Sequence, residues 1–196
     1  GDTRYNDTLP NYLSETFTTK VKALCTNYLN QVSTFDDISL TAEDLLSKKI
    51  LIWECEMSLK GMEFQKDLMP VDQMWGFQLS FGQLASGTGA QPFNSVQDYE
   101  NWLVRIEGYL DWLQSAQSNM KKGMKTGWVL PQALVKKVLP QLKDMTTVDL
   151  DKHLFYSPAR NFPASFTEED KTRFSAAYNT MVLDQIIPAY NVLHDF

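Results

Sequence analysis

From Ser95 to about Lys122 the chain repeats apolar residues at steps of three and four, through Val96, Tyr99, Trp102, Leu103, Ile106, Tyr109, Leu110, Leu113 and Met120. That period places one continuous stripe on one side of an α-helix of roughly 40 Å, at about 1.5 Å per residue. Ser95 is placed to cap it, with Asp98 three residues on to answer the cap. A helix this long and this one-sided must be covered by other elements, and those are helical too. Leu13, Phe17, Val21, Leu24, Tyr28, Leu29 and Val32 predict a helix over 12–32. Thr41 with Asp44 opens another, which runs to about Lys60 and stops at Gly61. Its apolar set, from Leu45 and Leu46 through Ile50, Trp53 and Met57 to Leu59, is broad enough to predict burial on more than one side.

Pro131 suits the first turn of a shorter helix carrying Leu134, Val135, Val138, Leu139 and Leu142, bent at Pro140. Residues 144–166 read as a connector, since Pro158 and Pro163 bar a continuous helix. Thr167 then caps a last helix whose Glu168, Glu169 and Asp170 suit the positive end of its dipole. Its face holds Phe174, Ala177, Tyr178, Met181, Ile186, Tyr190 and Leu193, with a kink expected at Pro188. Strand alternation is not convincing anywhere. The expected fold is all-α: an irregular bundle of about five to six helices, some long and kinked, in one domain spanning 1–196. Between Gln65 and Gln91 the period fades among Pro70, Gly76, Gly82, Gly87 and Gly89, which predicts a long loop rich in aromatics.

Charge and chemistry exclude more than they assert. Hydrophobic residues at 43% and charged residues at 21% suit a folded chain. The net charge is −6, and Lys121-Lys122 and Lys136-Lys137 sit beside apolar helix faces, so no nucleic-acid partner is expected. No apolar run approaches the roughly 20 residues that cross a bilayer, so no transmembrane segment is expected. Cys25 and Cys55 fall within apolar helical patterns and read as buried thiols, with a bridge between two helices as the alternative. Buried thiols are poor nucleophiles. His153 and His194 lie far apart and neither stands in a zinc-peptidase pattern. Asp149, Asp151 and His153 alternate in the connector, where a solvated loop is the favoured reading over a metal site. Ser86-Gly87-Thr88-Gly89 lacks the Lys that completes a phosphate loop and reads as a turn. The constellation with functional promise is the aromatic loop, where Gln73, Trp75, Gly76, Phe77 and Phe81 are candidates for the wall of a groove. Core filling is the competing reading.

The segment Asp98 to Leu142, DYENWLVRIEGYLDWL followed by GMKTGWVLPQALVKKVLPQL, resembles the bacterial proteins grouped as domain-of-unknown-function family 885. Gly1-Asp2-Thr3-Arg4-Tyr5-Asn6-Asp7 looks like the family's early Gly-Asp-x-Arg-x-x-Asp stretch. Trp53-Glu54, Met69-Pro70-Val71-Asp72-Gln73, Phe162-Pro163-Ala164-Ser165 and Ile187-Pro188-Ala189-Tyr190 look like later blocks in the same order. Such proteins are longer, are similar to zinc-dependent metallopeptidases, and carry a His-Glu motif closed by a Gly-His in their C-terminal half. Neither pair occurs in this sequence, so the metal ligands and general base cannot be carried over. The resemblance therefore implies a non-catalytic N-terminal portion, with zinc held by a C-terminal catalytic portion of the same protein. It implies a scaffold that walls a substrate channel, with peptides as the substrates. It further implies a cell-envelope or periplasmic location, with a lipid anchor carried on a removed signal. An open aromatic face on the isolated portion predicts self-association. A stand-alone helical module with an aromatic groove for a ligand or protein is the alternative.

Overall fold

The computed structural model describes residues 3–87 and 89–196, and among these it contains helices and no strand. Gly1 and Asp2 of the opening block, and Thr88 of the glycine-rich turn, lie outside the described residues. The fold is all-α. Where one domain is expected over 1–196, the chain groups into two compact units, Tyr12–Lys66 and the remainder.

The first unit is a pair of helices, α1 (Glu15–Val32) and α2 (Ala42–Gly61). Ser14 and Thr41 cap them, each hydroxyl accepting from a main-chain N–H three residues on. Between them, Lys48 reaches back to the Phe35 carbonyl and the Asp37 carboxylate, both at 2.6 Å. Cys25, Val32 and Cys55 are buried, and both cysteines are free thiols, so the bridge is not formed. The expectation that α2 is buried on more than one side fails. Leu46, Ile50, Trp53 and Met57 all stand exposed, Leu46 at 59% and Trp53 at 57%. They sit at i, i+4, i+7 and i+11, which is one face of one helix.

The second unit is built around α4 (Val96–Thr126), between α3 (Phe77–Ala85) and α5 (Gln132–Asp144) in the sequence. The short α6 (Ser157–Arg160) then leads to α7 (Glu168–Thr180) and α8 (Ile187–Asp195). Ser95 and Asp98 form a reciprocal capping box at α4, and Thr167 and Asp170 form another at α7. The predicted long loop is corrected by α3. The segment FQLSFGQLA buries Gln78, Phe81, Gly82 and Ala85, so its helix has no clean amphipathic period to read. The kink expected at Pro188 is replaced by a change of winding upstream. Met181–Ile186 is π-helical, and the Ile187 N–H bonds the Val182 carbonyl five residues back. Pro188 has no N–H to give to an α-helical bond, and a widened turn before it accommodates that loss.

The core of this unit is aromatic. Phe81 stacks on Tyr109 with ring centroids 4.0 Å apart and on Trp102 at 4.9 Å. Tyr99 packs among Phe166, Phe174 and Tyr178, and its hydroxyl donates to the Pro158 carbonyl at 2.8 Å. Tyr190 donates to the Gln78 carbonyl at 2.6 Å while its oxygen receives the Tyr109 hydroxyl at 2.7 Å, tying α3, α4 and α8 together. Two glycines in α4 admit main chain. A Cβ at Gly108 would stand 2.9 Å from the Leu9 carbonyl oxygen, so the N-terminal segment crosses the helix there. Gly123 is buried, and a Cβ on it would collide with the Trp128 carbonyl.

Candidate functional site

The five predicted groove residues do not come together on one surface. Asp72 Oδ1 accepts the main-chain N–H groups of Met74 and Trp75, both at 2.7 Å, and turns the chain ahead of α3. Gly76 begins the helix, and a Cβ there would lie 2.6 Å from the Asp72 carbonyl oxygen, beside the buried Gln78 amide. Gln78 donates to that same carbonyl at 2.6 Å. Gln141 of α5 donates to the Gln73 carbonyl at 3.0 Å and pins the turn from the other side. Phe81 is wholly buried, and the half-buried Phe77 meets Trp112 edge-on with centroids 5.0 Å apart, so both rings pack onto the core. Trp75, by contrast, is 84% exposed. Gly76, Phe77 and Phe81 thus hold the turn, and Trp75 is the aromatic ring it presents.

A concave apolar surface lies elsewhere in the same unit. A cavity of about 200 Å³ is walled by the last turns of α4, the loop 127–131, α5, the segment 68–71 and the end of α8. Its local construction follows from glycine and proline. Gly127 takes a left-handed φ of 82° and ends α4, and the Trp128 N–H bonds back to the Gly123 carbonyl at 3.0 Å. Pro131 then starts α5, which returns alongside. The floor is made by buried Leu68, Val71, Val138, Leu142 and Leu193. The lip is made by exposed Met124, Trp128, Val129, Val135 and Leu139. Phe196 lines it too, with Lys121 Nζ 5.6 Å from its ring centroid. His194 is the polar ring on the wall, and its Nδ1 lies 3.0 Å from the Asp195 carboxylate. Nothing in this lining is arranged as nucleophile and base.

Sequence reasoning missed this cavity because its walls come from three separated stretches, 68–71, 120–142 and 193–196. One signal was present. From Trp112 to Lys143 the chain has Lys121, Lys122, Lys125, Lys136, Lys137 and Lys143 and no acid, within a protein of net charge −6.

The titratable groups that the sequence singles out elsewhere have structural surroundings. His153 is buried, its Nδ1 accepts the Phe155 N–H at 3.3 Å, and its Nε2 faces the Met145 carbonyl at 3.2 Å. These contacts fit the neutral ring protonated on Nε2. Burial pushes its pKa down, and the Arg160 guanidinium adds to that against the opposing pull of the Met145 carbonyl. Asp149 accepts from the Asp151 N–H and pairs with Lys152 at 2.8 Å, which also holds its carboxyl below the usual range. The Asp149, Asp151 and His153 series therefore does not converge on one point. The Cys55 thiol is pushed up by burial and by the neighbouring Cys25, which opposes thiolate formation. Tyr99 is pushed up to about 12 by burial. Among the described residues no three His, Cys, Asp or Glu side chains gather as a metal site.

No helix of the described chain is long and apolar enough to cross a membrane. A family model described as "Bacterial protein of unknown function (DUF885)" matches residues 1–196, the whole chain. Searches of curated proteins and of solved structures find no match.

Proposed function

This chain belongs to the DUF885 family of bacterial proteins, and we propose that it is the non-catalytic N-terminal helical region of a longer protein that resembles zinc-dependent metallopeptidases. Its role in that reading is scaffold and channel wall, with the reacting groups, zinc and general base supplied by a C-terminal portion. The observation that carries the reading is the uncovered stripe of Leu46, Ile50, Trp53 and Met57 on α2. Full burial of such a side chain gains about 1.5–3 kcal/mol, of which these half-exposed residues still stand to gain roughly half, so a stripe of this kind is a surface built to be covered. The C-terminal portion of the same protein is the cover. Trp75 is the part of the predicted set left exposed to face a channel and a peptide in it. An envelope or periplasmic location, with a lipid anchor on a removed signal, belongs to the same proposal.

The test is reassembly. This chain and the C-terminal portion, expressed as separate polypeptides, should associate, and hydrogen exchange should slow across α2 on mixing. Trp53→Lys together with Ile50→Lys should weaken that association at least about tenfold. Absence of association defeats the scaffold reading, as does stoichiometric zinc binding with peptide hydrolysis by this chain alone. The cavity between α4, α5 and α8 supports a second reading, a stand-alone ligand- or protein-binding module. A reading frame ending near Phe196 favours that module; several hundred further codons containing a His-Glu motif favour the scaffold.

A further inference from the structure

We propose that the cavity between α4, α5 and α8 binds the acyl chain of a small anionic amphiphile, a medium-chain carboxylate, with its head group held by Lys121 at the mouth. This goes beyond the scaffold reading and does not depend on it.

Three observations on this one surface converge. The first is size and character. The cavity holds about 200 Å³, with buried Val138, Leu142 and Leu193 on its floor. An enclosed apolar cavity of about 150 Å³ accepts a benzene-sized guest, so this one accommodates a tail of about eight carbons. The second is access. Met124, Trp128 and Val129 stand exposed at the lip, so the floor is open to a ligand from solvent. The third is charge. The acid-free tract from Trp112 to Lys143 places exposed Lys121, Lys122, Lys125, Lys136 and Lys137 on the two helices that flank the cavity. Lys121 already lies over Phe196, a ring of the lining, at 5.6 Å. Two acids at this edge have partners, Asp195 with His194 at 3.0 Å and Asp67 with Asn119 at 3.5 Å. A chain of net charge −6 repels anions on average, so an apolar hole flanked by two acid-free, lysine-bearing helix segments favours a ligand with a tail and an acidic head.

The experiment is isothermal titration calorimetry of the whole chain at low ionic strength with octanoate, kept below its aggregation range. Octyltrimethylammonium, a ligand of equal tail and opposite head, is the comparison. Octanoate should bind saturably at one site and at least about tenfold more tightly than the cation. Lys121→Glu should weaken octanoate about tenfold and narrow the difference between the two ligands. Leu139→Asp, at a half-exposed lip position, should abolish octanoate binding while circular dichroism and the melting midpoint stay within the wild-type range. Should that variant misfold, Lys121→Glu and the paired ligands decide alone. The proposal is overturned by no saturable octanoate binding, or by equal affinity for the two head groups. It is equally overturned if the chain binds phosphatidylglycerol vesicles but not monomeric octanoate, which would make the surface a membrane-docking face.

Discussion

Replacing Gly123 by alanine should destabilise the larger unit, although alanine is the better helix former. In an open helix the change stabilises by about 1 kcal/mol. Here the added Cβ would collide with the Trp128 carbonyl, and it would stand 3.1 Å from the Leu68 carbonyl oxygen. Both neighbours are main chain and cannot swing aside. Moving Trp128 also strains the 3.0 Å bond from its N–H to the Gly123 carbonyl, a bond worth about 0.5–1.5 kcal/mol. Overpacking of this kind costs about 1–3 kcal/mol, so the net loss is about 2 kcal/mol after the helix-propensity gain is subtracted. For a chain of this size that is a fall of about 4–8 °C in Tm. Gly61, at the end of α2, provides the opposite case: a Cβ there meets nothing within 4 Å. Gly61→Ala should therefore stabilise its own unit by up to about 1 kcal/mol. Hydrogen exchange read peptide by peptide, alongside urea denaturation, assigns each effect to its unit. A Gly123→Ala protein as stable as wild type would refute the close approach of loop and helix on which the cavity depends.

Two further outcomes are expected. The folded-state pKa of His153 lies below its ordinary value of 6.5, so the unfolded chain binds the proton more readily. Stability should fall as pH drops below about 6.5, by at most about 1.4 kcal/mol per pH unit, until the folded-state pKa is reached. In His153→Asn that slope between pH 7.5 and 5 should disappear from urea-denaturation curves; an unchanged slope would assign it to other groups. Tyr190→Phe removes the 2.6 Å bond to the Gln78 carbonyl and the oxygen that receives the Tyr109 hydroxyl. It should cost about 1–3 kcal/mol by the same measurement, and a loss under about 0.5 kcal/mol would show that water replaces the tyrosine oxygen.

Thr41, Ser95 and Thr167 could be read as caps because a hydroxyl and an acid three residues apart are a local signal. The helix α3 could not, since Gln78 is as buried as Phe81 and breaks the period a reader relies on. The stripe on α2 was legible as apolar but not as uncovered, because cover is a property of what packs against a helix. Of the candidate groove residues, sequence identified an aromatic cluster but neither the turn nor the split within it. Phe77 and Phe81 turn inward and Trp75 outward only once α3 has formed. The cavity escaped because contiguity in space was assembled from stretches that share no pattern except an excess of lysine.

The crossing of Leu9 over Gly108 also sets a timetable. The larger unit is discontinuous, being made of the chain up to Asn11 and then Asp67–Phe196. Asn11 finds Asp111 and Ser115, separated from it by 100 and 104 residues. At about 5–20 residues per second of synthesis, the first segment waits about 5–20 s for the helix it will lie across. During that interval α1 and α2 emerge complete. The order of birth is therefore inverted relative to position: an inserted hairpin matures first, while the opening residues of the chain are among the last to find their place.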